Sequence, residues 1–230
     1  MAEKWHEIFN RRAEIYEDPL EIAEYCWGGK PVEKEYIDSR IEIILKELEI
    51  DGRSSLLEVG SGCNILLSRL KEKAAECYGV EPAAGMILAG RRTCELPVVC
   101  AEASRLPFPG SFFDRTLSYN VFAYLPDDGY AVEAMMEMVR VTKPGGIVFI
   151  GEIQHAGTKE AYVKRRAESS NAYKPEHYDA RVRTDLESLW YFPETFAKRL
   201  DSEGLKYEVA HPHPGGGFLS GYRFSLKIWI

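Results

Sequence analysis

Apolar positions recur at helical spacing twice near the start of the chain, through Trp5, Ile8, Phe9 and Tyr16 and again through Ile37, Ile41, Ile44, Leu45 and Leu48. Two amphipathic helices are predicted there, separated by a glycine- and proline-bearing turn from Tyr25 to Pro31. From Ser54 the texture changes to short apolar runs divided by turns and helical stretches. Strands are predicted at Ser55 to Gly60, Cys77 to Glu81, Val98 to Cys100, Phe113 to Tyr119 and Ile147 to Ile150, with helices near Ile65 to Lys73, Ala83 to Arg92 and Asp128 to Val141. Lys143-Pro144-Gly145-Gly146 is read as the stop of the last of these helices.

Ile147 to Ile150 is apolar without alternation, as strands covered on both faces are. A further helix is predicted from Pro193, with Phe196, Ala197 and Leu200 on one face and Gly204 at its end. Leu205 to Ala210 and Tyr222 to Ile230 read as strands whose short glycine-rich connection leaves no room for a helical crossover, so the last runs antiparallel to its predecessor. The resulting expectation is an α/β fold: one seven-stranded, mostly parallel sheet with an antiparallel last strand, helices on both faces and an N-terminal helical cover.

At 230 residues a single domain is expected, divided into the cover (1–50), a core (51–153), an insertion beyond the strand ends (154–192) and a C-terminal helix and strand pair (193–230). The net charge of -7 opposes binding to a polyanion, so nucleic acid is not expected as a partner. Five cysteines without a CxxC pair fit neither a disulfide framework nor a zinc site, and a cytoplasmic protein with reduced thiols is expected. No segment has the length and apolarity of a signal peptide or membrane span, so no membrane partner is expected either. His211-Pro212-His213-Pro214 reads as an extended turn, and no metal is expected.

The chemistry-bearing motifs lie at strand ends. Glu58-Val59-Gly60-Ser61-Gly62 joins a buried strand to a turn where missing side chains let a ligand approach the backbone. Glu81 follows the second strand about twenty residues later, the spacing at which a carboxylate can accept from both hydroxyls of a ribose. Ile65 stands where a dinucleotide fingerprint would place its third glycine, which weighs against an NAD-dependent oxidoreductase.

Together with Glu102-Ala103 after the third strand, Leu106-Pro107-Phe108 before Phe113-Asp114, and Lys143-Pro144-Gly145-Gly146 before the fifth strand, these segments resemble the class I S-adenosylmethionine-dependent methyltransferases over residues 54 to 153. The resemblance implies a Rossmann-like fold and S-adenosylmethionine as cofactor, leaving as S-adenosylhomocysteine. It implies that Glu58, Gly60 and Gly62 hold the methionine end and that Glu81 binds ribose. Glu102 and Ala103 would read adenine, Pro82 and Met86 would give apolar contact, Asn120 would lie beside the methionine moiety, and Tyr16 would reach in from the cover.

Methyl transfer from a sulfonium is an in-line displacement, so positioning can supply most of the catalytic effect. Should the acceptor have to lose a proton, His155 is the first candidate base, with Tyr124 and Glu152 behind it. The acceptor is expected to be a small molecule with an oxygen or nitrogen nucleophile; a homodimer is left open, and a binding module without turnover is the alternative. Residues 154 to 192 hold seven basic and six acidic residues, a balance that favours a solvated helix over an anion site. Their aromatic residues, Tyr162, Tyr173, Tyr178, Trp190, Tyr191 and Phe192, would line an acceptor pocket or pack the cover.

Overall fold

The computed structural model describes residues 4–27, 29–168, 179–182, 187–213 and 219–230. Its chain order is α1 (Trp5–Ile15), α2 (Pro19–Ile22), a hairpin of β1 (Cys26–Trp27) and β2 (Lys30–Pro31), α3 (Lys34–Leu48), β3 (Ser55–Val59), α4 (Leu67–Leu70), β4 (Glu76–Val80), α5 (Ala84–Thr93) and β5 (Val98–Val99). There follow β6 (Phe113–Tyr119), α6 (Asp128–Val141), β7 (Thr142–Gln154), α7 (Lys159–Glu168), α8 (Glu194–Ser202), β8 (Lys206–Ala210) and β9 (Arg223–Trp229).

Seven strands form one sheet in the order β5-β4-β3-β6-β7-β9-β8. The pairs from β5 to β7 are parallel, and β9 runs antiparallel to both β7 and β8. The antiparallel last strand therefore lies between its neighbours rather than at the sheet edge. A connection too short for a crossover produces this arrangement when β8 takes the edge first.

Both faces are covered. One core cluster packs Phe113, Val148, Ile150 and Phe224 under α6 and α8, and the other packs Leu56, Leu117, Ile147 and Phe149 under α3 and α4. Helix α6 forms where predicted because Asp127 accepts from Tyr130 N at 2.8 Å, capping the first turn. Its Ala131, Ala134, Met135, Met138 and Val141 then fall on one buried stripe.

Three local expectations change. The helix predicted from Ile65 to Lys73 shrinks to Leu67–Leu70, because Asn64 takes a left-handed φ of 61° and Lys71, Glu72 and Lys73 are exposed. Lys143 to Gly146 does not separate helix from strand: β7 begins at Thr142, directly after α6, and a register shift against β6 absorbs the glycines. The segment from Tyr25 to Pro31 holds a two-residue antiparallel hairpin.

Helix α1 docks on α5 at a point where glycine is required. A Cβ on Gly85 would stand 2.9 Å from Ala13 Cβ and 3.3 Å from the Asn10 backbone, and Gly85 N donates to Asn10 Oδ1 at 2.8 Å. Arg12, buried to 1 %, ties the same helix to α2 through Ile22 O at 2.8 Å and Glu24 at 3.1 Å. Gly85→Leu is expected to cost about 1–3 kcal/mol by overpacking this contact and to expose α1 to limited proteolysis while the far-ultraviolet circular dichroism of the sheet is retained.

Candidate active site

The chain leaves β3 for β4 and β5 on one side and returns to β6 on the other, so β3 and β6 flank a topological switch point. In open α/β sheets the ligand crevice lies there, beyond the carboxyl ends of the strands. A cleft of about 410 Å³ occupies this place, lined by the ends of β3, β4 and β6 and by the N-terminal cover.

Its floor is the glycine turn. Gly60 N and Ser61 N both donate to Val80 O, at 2.7 and 3.0 Å, which bends the chain against β4. Gly60 has a φ of 79°, and a Cβ there would stand 2.4 Å from Val121 Cγ2. Gly62, at a φ of 53°, would bring a Cβ to 3.1 Å from Met86 Cε. The first glycine thus admits a protein side chain, while the second keeps the backbone open beside Met86.

Glu81 fastens that turn. Its Oε2 accepts from Gly62 N at 3.0 Å and its Oε1 from Ala83 N at 2.9 Å. Burial pushes its carboxyl up to about 7, against the pull of those two hydrogen bonds and with a further push from Glu102. Burial and the Glu81 charge push Glu58 up to about 8, and among the described residues Glu58 Oε2 has no hydrogen-bond partner. Glu102 is exposed at the opposite side of the same cleft, where Tyr130 Oη donates to its Oε2 at 2.6 Å.

Of the residues singled out from the sequence, Glu58, Gly60, Gly62, Glu81, Pro82, Met86, Glu102, Ala103, Asn120 and Tyr124 all line this one cleft. Tyr16 does not: its hydroxyl accepts from Asp179 N at 3.2 Å and its ring lies under Arg12. His155 also stands outside, stacked on His211 with ring centroids 4.5 Å apart and accepting from Gly157 N through Nδ1. Burial and the His211 charge lower its imidazole. The position expected of a base facing the acceptor is therefore not the one His155 takes.

Tyr124 is an aromatic wall, edge-on to Trp5 at 5.0 Å and to Phe9 at 5.4 Å, and burial raises its phenol above the ordinary range. Glu152 does not line the cleft: it pairs with Arg40 and Arg223, and although burial pushes its carboxyl up, the charges of Arg223, His213 and Arg40 hold it below the usual range. Trp5, His6, Phe9, Tyr25, Val121 and Leu189 line the cleft and were not singled out from the sequence as site residues. The helical spacing of Trp5 and Phe9 marked them as a buried face, without indicating which surface that face would meet.

In the stretch after Gln154, Tyr191 is a core residue whose hydroxyl donates to Phe122 O at 2.8 Å, Tyr162 packs on Trp190, and Phe192 is exposed. Lys164 and Arg165 are exposed on α7, which has no buried residue. Tyr173, Tyr178 and Arg183 lie outside the described residues.

Residues 57–150 match the family model of a methyltransferase domain. The demethylmenaquinone methyltransferase of Corynebacterium urealyticum is 32% identical over 108 residues, 46% of this chain and 45% of that protein. The enzyme of the same name from Mycobacterium tuberculosis is 30% identical over 145 residues, 57% of this chain and 58% of that protein. The chain spans about half the length of the curated relatives it matches.

Among solved structures, phosphoethanolamine N-methyltransferase 1 of Haemonchus contortus superposes with a TM-score of 0.67 at 12% identity, over 97% of this chain and 48% of that one. A SAM-dependent methyltransferase of Aquifex aeolicus does so with a TM-score of 0.56 at 17% identity, over 85% and 93%. These two likenesses speak for the fold alone. Together with the ordered motifs, the matched family model supports a methyltransferase domain of the class I S-adenosylmethionine-dependent kind over residues 57–150.

Proposed function

We propose that the chain binds S-adenosylmethionine across the glycine turn and transfers its methyl group to a small, flat, largely apolar acceptor. The observation that carries this reading is the convergence of Glu58, Glu81 and Glu102, far apart in sequence, on one cleft at the switch point of the sheet. Buried polar atoms there fit the cofactor: among the described residues Glu58 Oε2 and Ser61 Oγ lack partners, and a cationic, hydroxyl-bearing ligand supplies what a carboxylate and a hydroxyl need.

In this reading Glu81 holds the ribose with the acceptor sites its two backbone bonds leave over, and Glu102 and Ala103 face the adenine. Pro82 and Met86 give the nucleoside apolar contact, Gly60, Gly62 and Glu58 border the methionine end, and Asn120 stands at the acceptor side of it. The bound cofactor supplies an electrophilic methyl group. The chain's own contribution is to orient the two reactants and to exclude water.

Trp5, Phe9, Tyr25, Tyr124 and Leu189 form an apolar wall on the acceptor side, the kind of surface a flat ring packs against. The relatives named for demethylmenaquinone, a quinone, point to the same acceptor shape. Of the residues first considered as bases, none combines a place in the cleft with a lowered barrier to accepting a proton. Positioning is therefore the larger part of the proposed mechanism.

Glu81→Ala is expected to weaken S-adenosylmethionine binding by about 1.5–3 kcal/mol, roughly ten- to hundredfold in Kd, with the fold retained; titration calorimetry reads the affinity. Equal affinity for the variant would overturn the ribose assignment. The same titration on the native chain is expected to tighten as pH rises from 6 to 8. A cationic ligand with hydroxyl donors favours the ionised forms of Glu58 and Glu81, whose carboxyls lie up at about 8 and about 7 in the free protein. Each proton given up on binding steepens the dependence by about tenfold per pH unit below that pKa, and Glu58→Gln should flatten it. His155→Ala is expected to leave kcat/KM within about twofold of the native value once an acceptor is in hand, as befits a side chain outside the cleft.

A further inference from the structure

Below the acceptor side of the cleft the sheet ends in a buried charged group that the methyl-transfer reading leaves unused. Arg40 from α3, Glu152 from β7 and Arg223 from β9 meet there, with Arg40 Nη2 3.3 Å from Glu152 Oε1 and Arg223 Nη1 bonded to Glu152 Oε2. His213 joins them, its Nε2 4.0 Å from Glu152 Oε1 and 2.9 Å from Tyr119 Oη. The side chains of Arg40, Arg223, Glu152 and His213 are 7, 10, 4 and 2 % exposed.

The charges in this group do not balance. Guanidinium groups stay protonated, Glu152 is held ionised, and burial presses the imidazole of His213 down to about 4, so that it is neutral at pH 7. One carboxylate therefore answers two cations. A net charge in a buried group is costly; the Tyr36 ring, 3.8 Å from the Arg40 guanidinium, faces one of the two cations, but the group holds one anion fewer than cations.

Arg223 carries this imbalance to the cleft. Its Nη1 also donates to Asn120 Oδ1 at 2.9 Å. Arginine has only donors, so the amide atom facing it must be the oxygen, and the amide nitrogen is turned away. Asn120 lines the cleft just past β6, at a left-handed φ of 58° that asparagine tolerates, with its backbone N–H donating to Gly151 O at 3.0 Å. Among the described residues no acceptor meets its Nδ2.

We propose that Asn120, oriented by Arg223, donates a hydrogen bond to an oxygen of the methyl acceptor, and that this end of the cleft prefers acceptors whose oxygen is ionised, such as a phenolate, enolate or carboxylate, over cationic amines. Asn120 is the binding residue and Arg223 a positioning residue acting through it. A fixed donor backed by a buried positive field favours the ionised form of the bound acceptor, the form whose oxygen attacks the methyl carbon and loses its charge in the transfer. The assignment rests on the methyl-transfer reading of the cleft.

The test uses the full chain saturated with S-adenosylhomocysteine and three probes of one size: 1-naphthoate, 1-naphthalenemethanol and protonated 1-naphthalenemethylamine, titrated by calorimetry. Naphthoate is expected to bind at least tenfold tighter than the amine. Asn120→Asp keeps the shape, the contact with Arg223 and the tolerance of a left-handed φ, but replaces the donor with a second acceptor; it should abolish or invert that preference. Arg223→Lys keeps a cation beside Glu152 but replaces the Nη1 that bonds both Asn120 and Glu152 with an ammonium on a shorter side chain, and should reduce the preference with no further loss in the double variant. Should Arg223→Lys fail to fold, Asn120→Asp decides alone.

Equal binding of the three probes, binding of none of them, or a preference unchanged in Asn120→Asp overturns the proposal. So does a variant that loses S-adenosylhomocysteine while keeping the probe preference, since the amide would then serve the cofactor. Failure of the native chain to bind S-adenosylhomocysteine at all refutes the methyl-transfer reading itself, and this proposal with it.

Discussion

The carboxylate of Glu81 holds the site together. By accepting from Gly62 N and Ala83 N it joins the turn after β3 to the start of α5, which fixes the backbone at the ends of β3 and β4 at once. Two glycines with positive φ make the turn possible, and the Val80 carbonyl, taking both Gly60 N and Ser61 N, sets its angle. The same buried carboxylate is then available to a ligand. A group that shapes the turn needs no rearrangement to receive a ribose as proposed, because a carboxylate has acceptor capacity beyond two backbone bonds.

Around that latch the cleft divides by chemistry. The side proposed for the cofactor is acidic, with Glu58 and Glu81 buried and Glu102 held by Tyr130. The side proposed for the acceptor is aromatic, built from Trp5, Phe9 and Tyr124 edge to face. Below it lies the excess positive charge of Arg40 and Arg223 over Glu152. In the proposed reading a cation is drawn to one end and an electron-rich nucleophile to the other, the polarity that suits methyl transfer from a sulfonium.

Much of this was legible in the sequence because its signals are local. Asp127 before a stripe of Ala131, Ala134, Met135 and Met138 defines α6 without reference to anything else, and the spacing from Gly60 to Glu81 follows from one βαβ unit. The helix expected from Ile65 to Lys73 was overestimated because apolar residues at 65–67 and 70 satisfy the pattern, whereas the left-handed Asn64 and exposed Lys71 to Lys73 limit it. His155 looked suitable by its place after the fifth strand, yet a strand-end position does not say which way the chain turns next. The Arg40–Glu152–Arg223 group left no trace as a group: its members lie 112 and 71 residues apart, Arg40 and Arg223 each read as an ordinary surface charge, and Glu152 stood out only as a candidate base. Trp5 and Phe9 belong to the same class, since periodicity marks a buried face without naming its partner.

A crystal structure of the full chain with S-adenosylhomocysteine tests the central claim most directly. The account predicts the nucleoside lying in the cleft with ribose hydroxyls on Glu81, adenine toward Glu102 and Ala103, and the sulfur facing the wall of Trp5, Phe9 and Tyr124. A ligand bound elsewhere, or one in the cleft whose ribose makes no contact with Glu81, would contradict it.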